Sequence, residues 1–114
     1  VKRVKRPCDE CPWRVDAEPG RFAPERWAAL AASSADERGF GPEYGNPLFA
    51  CHKTPEGEER ACAGWLAREG ANHPTVRLAV LLGDVPACAL DPGEGWPDLH
   101  PDFQTTRAHD MEES

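Results

Sequence analysis

The sequence predicts a small α-rich, metal-stabilised domain of about three short helices, joined by long Pro- and Gly-rich loops and containing little strand. Three observations carry this expectation. The chain has 114 residues, of which 12 are proline and 10 glycine, so loops dominate a chain long enough for one thin core and too short for two. Apolar residues recur at helical spacing in three stretches, and a single short apolar run reads as strand. Five cysteines are many for this length; their odd number, and the lack of an apolar segment behind the basic first residues, argue against a disulfide framework and for metal ligation. Hydrophobic residues at 39% and charged residues at 29% are globular composition rather than that of a disordered chain. No apolar run nears the roughly 18 residues that a membrane span needs, and the expected compartment is the cytoplasm.

The order of elements follows from local chemistry. Residues 1–6 form a basic arm, residues 7–104 a single metal-binding domain, and residues 105–114 a mobile tail. Four of the 13 basic residues lie in the arm at Lys2, Arg3, Lys5 and Arg6, while all 20 acidic ones lie beyond it. The body therefore repels nucleic-acid phosphate, and the arm alone offers it a weak, salt-sensitive handle. From Pro7 to Gly20 a cysteine pair, Pro12 and the turn residues Glu18, Pro19 and Gly20 make a compact loop. Pro24 suits a first helical position, and Trp27, Leu30 and Ala31 make one buried stripe on a helix from Pro24 to Ser33, with Phe22 stapling its entry. Residues 35–47 read as a long loop. Pro47 to His52 reads as a short strand that pairs either with the N-terminal loop or with the region of Val85. After a turn over Thr54 to Gly57, Ala61 to Arg68 reads as a second helix with Gly70 as its stop and Cys62 in its first turn. Pro74 to Leu82, apolar on nearly every face, reads as the central core helix.

Cys8 and Cys11 are two residues apart, the gap that lets both sulfurs turn toward one ion. Cys51 and Cys62 supply two more ligands, giving the set Cys8, Cys11, Cys51 and Cys62. His52 is an alternative ligand, set behind Cys51 because adjacent side chains diverge along an extended segment. Cys88, in the apolar context Pro86 to Leu90, reads as a buried free thiol. Four thiolates suit zinc and a [4Fe-4S] cluster alike, and the spacing leaves both open. The frequency of zinc in small intracellular domains inclines the choice to zinc, whereas Pro12 directly after Cys11 inclines it to the cluster.

The strings Cys8-Asp9-Glu10-Cys11-Pro12-Trp13-Arg14, Phe49-Ala50-Cys51-His52-Lys53, Ala61-Cys62-Ala63-Gly64-Trp65 and Val76-Arg77-Leu78-Ala79 carry a resemblance. In this order they look like a family of small proteins of unknown function from actinobacteria and their phages, over roughly Arg6 to Leu82. The resemblance implies that Cys8, Cys11, Cys51, His52 and Cys62 belong to one site, and it brings no activity with it. A zinc deaminase reading fails because neither His73 nor His100 has a Glu two residues later. Thioredoxin-like redox chemistry fails because Pro12 follows the pair where a helix should open. Trp13 and Arg14 are candidate contacts for a planar or anionic ligand. The reading is a metal-binding interaction or regulatory module with a protein or small-molecule partner; an iron-sulfur protein or a metalloenzyme of redox or hydrolytic chemistry is the alternative.

Overall fold

The computed structural model describes residues 2–54 and 57–112. Among the described residues four short α-helices carry the chain: α1 Pro24–Leu30, α2 Ala63–Glu69, α3 Pro74–Leu81 and α4 Phe103–Asp110. α1 and α2 run on into single 3-10 turns at Ala31–Ser33 and Gly70–Asn72, and another such turn spans Ala87–Leu90. Pro24 opens α1 as expected, its fixed φ being ready for the first helical position. The expected span to Ser33 is filled by α1 and its 3-10 turn together. α2 begins two residues later than its apolar pattern suggests, and Cys62 is its N-cap rather than part of its first turn. The delay has a backbone cause, since Ala61 is already engaged in bridges on both sides.

Those bridges are the main strand-like pairing among the described residues. Ala61 pairs in parallel with Arg3 and antiparallel with Ala50. The Val4 N–H donates to the Ala61 carbonyl at 3.0 Å, and the Ala61 N–H to the Lys2 carbonyl at 2.9 Å. The run from Pro47 to His52 thus finds its partner at Ala61, not at Val85, and the start of the basic segment is tied to the body through residues 2–4. Pro55 and Glu56, in the expected turn over Thr54 to Gly57, lie outside the described residues.

The core is aromatic and centres on α2. Trp13, Trp27 and Trp65 are fully buried, with Phe49, Leu66, Val76 and Phe103 beside them. Trp27 meets Phe49 and Phe103 at ring distances of 6.1 and 5.7 Å, and Phe22 lies 5.1 Å from Trp27 in the stapling position. α3 is not the central helix: only Val76 and Ala79 of it are buried, while Leu78, Leu81 and Leu82 are exposed. His73 caps it, the imidazole Nδ1 accepting the Thr75 N–H at 3.1 Å.

α4 occupies residues where a mobile tail is expected. Asp102 caps it by accepting the Thr105 N–H at 2.8 Å, and Phe103, Thr106 and Asp110 are its buried face. One apolar residue in three leaves almost no hydrophobic period to read. Asp110 accepts the Arg21 N–H at 2.8 Å, the Phe22 N–H at 3.1 Å and the Trp27 indole N–H at 2.7 Å, which locks α4 onto the entry of α1. No helix among the described residues is long and apolar enough to cross a membrane.

Candidate functional site

Two backbone devices bring the cysteines of three distant segments together. In the first, consecutive turns fold the N-terminal pair inward: the Cys11 N–H donates to the Cys8 carbonyl at 3.1 Å and the Arg14 N–H to the Cys11 carbonyl at 3.2 Å. Trp13 anchors this loop. Its carbonyl accepts the His100 N–H at 2.8 Å, and the Val15 N–H reaches the Asp98 carbonyl at 2.9 Å, around the bridge between Arg14 and Leu99. In the second, the bridge at Ala61 sets Cys51 and Cys62 diagonally across from each other. The Cys51 N–H donates to the Arg60 carbonyl at 2.8 Å and the Cys62 N–H to the Phe49 carbonyl at 2.9 Å.

The loop and the bridge meet at the sulfurs. The Cys11 and Cys62 Sγ atoms are 3.6 Å apart. The Cys8 Sγ is 3.6 Å from the His52 Nε2, and Cys8, Cys11, Cys51, His52 and Cys62 line one small space. All four expected cysteines, and the alternative ligand, therefore gather in one place. Cys11, Cys51 and Cys62 are buried, and Cys8 and His52 half-buried. His52 does not diverge from the group as its adjacency to Cys51 suggests, because the edge contact between its ring and Phe22, 5.5 Å between centroids, holds it beside Cys8. The space between these side chains is too narrow for a water molecule. Among the described residues, no three His, Cys, Asp or Glu side chains already surround a point as metal ligands do; the close contacts are pairwise, Cys11 with Cys62 and Cys8 with His52.

The electrostatics favour the protonated thiol at Cys8, Cys11 and Cys51. The hydrogen bond to Cys11, together with burial, pushes the Cys8 thiol well above the ordinary cysteine range. The hydrogen bond to Cys62 does the same to Cys11, and burial raises Cys51. Burial also lowers the basicity of His52. Outside the cluster, Lys53 and Glu10 pair at 3.0 Å between the segments that carry Cys51 and Cys8.

Two expectations change here. Cys88 is exposed rather than buried, because the short 3-10 turn Ala87–Leu90 buries only Ala89. Trp13 is fully buried, edge-on to Phe49 at 5.8 Å, and presents no face to a ligand; Arg14 is held by Asp16 through two bonds of 2.8 and 2.9 Å. Gly64 belongs to the site without having been singled out. A Cβ there would lie 2.6 Å from the Trp13 Cβ and 3.3 Å from the Cys11 Sγ, so only glycine lets α2 press on the cysteine loop. Its place directly after Ala-Cys-Ala is the one signal the sequence holds.

No curated protein and no solved structure matches the chain. A family model matches beyond Leu82, through the whole segment after Gly83 that the motif resemblance leaves out, and so includes α4. With a family model matching residues 3–114, the chain belongs to a family of unknown function, DUF6283.

Proposed function

We propose that this chain is a small metal-binding module in which Cys8, Cys11, Cys51 and Cys62 hold a single zinc ion that stabilises the fold, with His52 beside the site as a partner of Cys8. The observation that carries the reading is the separation of 3.6 Å between the Cys11 and Cys62 sulfurs. Zinc-thiolate bonds of about 2.3 Å set the sulfurs of a tetrahedral site about 3.8 Å apart. Small side-chain rotations then close the pairwise contacts around one ion. A four-iron cluster, with four irons and four sulfides between the cysteines, holds its cysteine sulfurs much farther apart than the 3.6 Å found here. The chemistry of the donors agrees: buried thiols set close together repay a soft divalent cation and leave no open position once four of them bind.

In this reading the metal is structural, and the role of the domain is interaction or regulation inside the cell. A polar cleft of about 330 Å³, walled by Glu10, Glu18, Arg21 and His52, supports the second reading, a hydrolytic metal with His52 facing the substrate. Elemental analysis and the absorption spectrum of protein purified without oxygen test both the metal and the alternative. The expected outcome is a colourless protein with one zinc per chain, whose cobalt-substituted form shows the intense visible bands of tetrahedral thiolate coordination. A brown protein containing iron, or one with no metal at all, overturns the proposal.

A further inference from the structure

Val4 and Ala63 wall the cysteine cluster and also a second cavity, a groove of about 280 Å³. Its lining includes Leu66, Trp96, Arg3, Lys5, Asp91 and Cys88. Trp13, Trp27 and Trp65 are wholly buried, so Trp96, half-buried, is the tryptophan that offers a surface to a ligand. Its position is fixed. The Trp96 N–H donates to the Gly93 carbonyl at 3.2 Å, and a Cβ at residue 93 would lie 2.6 Å from the indole nitrogen, so the bare glycine backbone seats the ring.

Arg3 pairs with Ala61, the chain bends at Lys5 just beyond it, and both side chains line the groove. The basic start of the chain is thus not spread evenly over a free arm: two of its cations reach a groove that holds an indole. On a chain of net charge −7, this local combination selects a ligand with a flat ring and a negative group. Stacking on an aromatic face tolerates any base, and arginine and lysine serve phosphate oxygens. The volume of about 280 Å³ suits one base with its sugar and falls just below the roughly 300–1,000 Å³ of ordinary ligand cavities.

We propose that this groove binds a nucleotide unit, its base against Trp96 and its phosphate on Arg3 and Lys5, as a free nucleotide or as one unit of a single strand. A duplex is excluded by chemistry, since its base faces are hidden in the stack and its dense phosphates meet an acidic body. The site is independent of the cysteines as metal ligands.

The test uses the full chain as purified, titrated separately with AMP, with a single-stranded ten-nucleotide DNA and with the corresponding duplex. Two signals report on the groove: quenching of Trp96 fluorescence, and protection of Cys88, an exposed thiol on its wall, from alkylation. Saturable quenching and slower alkylation are expected with AMP, the single strand or both. Binding of the single strand at least about tenfold tighter than AMP, with a steeper salt dependence, assigns the source to a strand; equal affinities assign it to the free nucleotide. Lys5→Glu, at an exposed position, and Trp96→Leu should each weaken binding about tenfold. Absence of quenching and protection with both ligands, unchanged affinity in both variants, or duplex binding as tight as single-strand binding overturns the proposal.

Discussion

Gly64 shows how much of the site rests on a single absent carbon. With a Cβ at this position set to meet Trp13 at 2.6 Å, Gly64→Ala forces α2 away from the cysteine loop, an overpacking that costs about 1–3 kcal/mol. The expected result is a lower denaturation midpoint together with weaker zinc retention in competition with a chelator; unchanged retention would show that the loop and α2 move independently. The cysteines divide in the same way. Cys11→Ser and Cys62→Ser should each lose the metal, whereas Cys88→Ser, at an exposed thiol, should keep full zinc content and stability. The cysteine set was legible because a two-residue gap and two further thiols are a count, and counts survive in a sequence. The environments of Gly64 and Cys88 were not, because each depends on what passes beside it. A further residue-scale effect is titration. Burial, with His109 at 4.8 Å between rings, lowers the basicity of His100, whose Nε2 is buried without a hydrogen bond. Here the unfolded chain binds the proton more readily, so stability is full above the ordinary histidine value of 6.5 and is lost as pH falls below it. His100→Gln should flatten the fall in melting temperature between about pH 6.5 and 5 relative to the parent.

Two buried carboxylates set the arrangement of the elements. Glu69, at the end of α2, accepts the Ala35 N–H and the Phe103 N–H at 3.0 Å each, joining the exit of α1 to the start of α4. Asp110, at the end of α4, takes two backbone N–H groups and the Trp27 indole at the entry of α1. Removing such a partner leaves buried donors unsatisfied, at about 1–3 kcal/mol for each. Asp110→Ala should therefore cost at least about 3 kcal/mol in urea denaturation, and Asp110→Asn less, since its one amide oxygen still accepts. A cost below about 1 kcal/mol for the alanine variant would mean that α4 is dispensable. The same chemistry explains which helices a sequence reader finds. α1 advertises itself through Trp27, Leu30 and Ala31 at helical spacing, and α2 through Cys62, Trp65 and Leu66. α4 buries a threonine and an aspartate behind one phenylalanine, and its fixing contacts span 83 to 89 residues, beyond any local pattern. α3 errs the other way: its apolar residues advertise a core that its exposed Leu81 and Leu82 do not join.

At the scale of the whole molecule, no helix among the described residues exceeds eight residues, well below the roughly 12–15 that an isolated helix needs to persist in water, and the strand-like pairing among them consists of isolated bridges. Secondary structure here is held by tertiary contact. The radius of gyration of 13.2 Å is the value expected for a folded chain of this length, so the compaction is complete although the regular elements are few. Three segments far apart in sequence converge at Cys8–Cys11, Cys51 and Cys62, and each carries a piece of the aromatic core: Trp13, Phe49 and Trp65 respectively. A metal bound at that junction fastens all three at once, and since unfolding separates the ligands, its binding free energy becomes folding free energy. Exhaustive chelation at neutral pH should then abolish the helical far-ultraviolet signal and the tryptophan burial in one cooperative step, and added zinc should restore both. The order of events matters, because a metal that only decorates a stable fold would leave first and the chain would melt later. If the chelated protein keeps its circular dichroism and melts at the temperature of the untreated protein, the aromatic core alone carries the fold, and the structural role proposed for the metal is overturned.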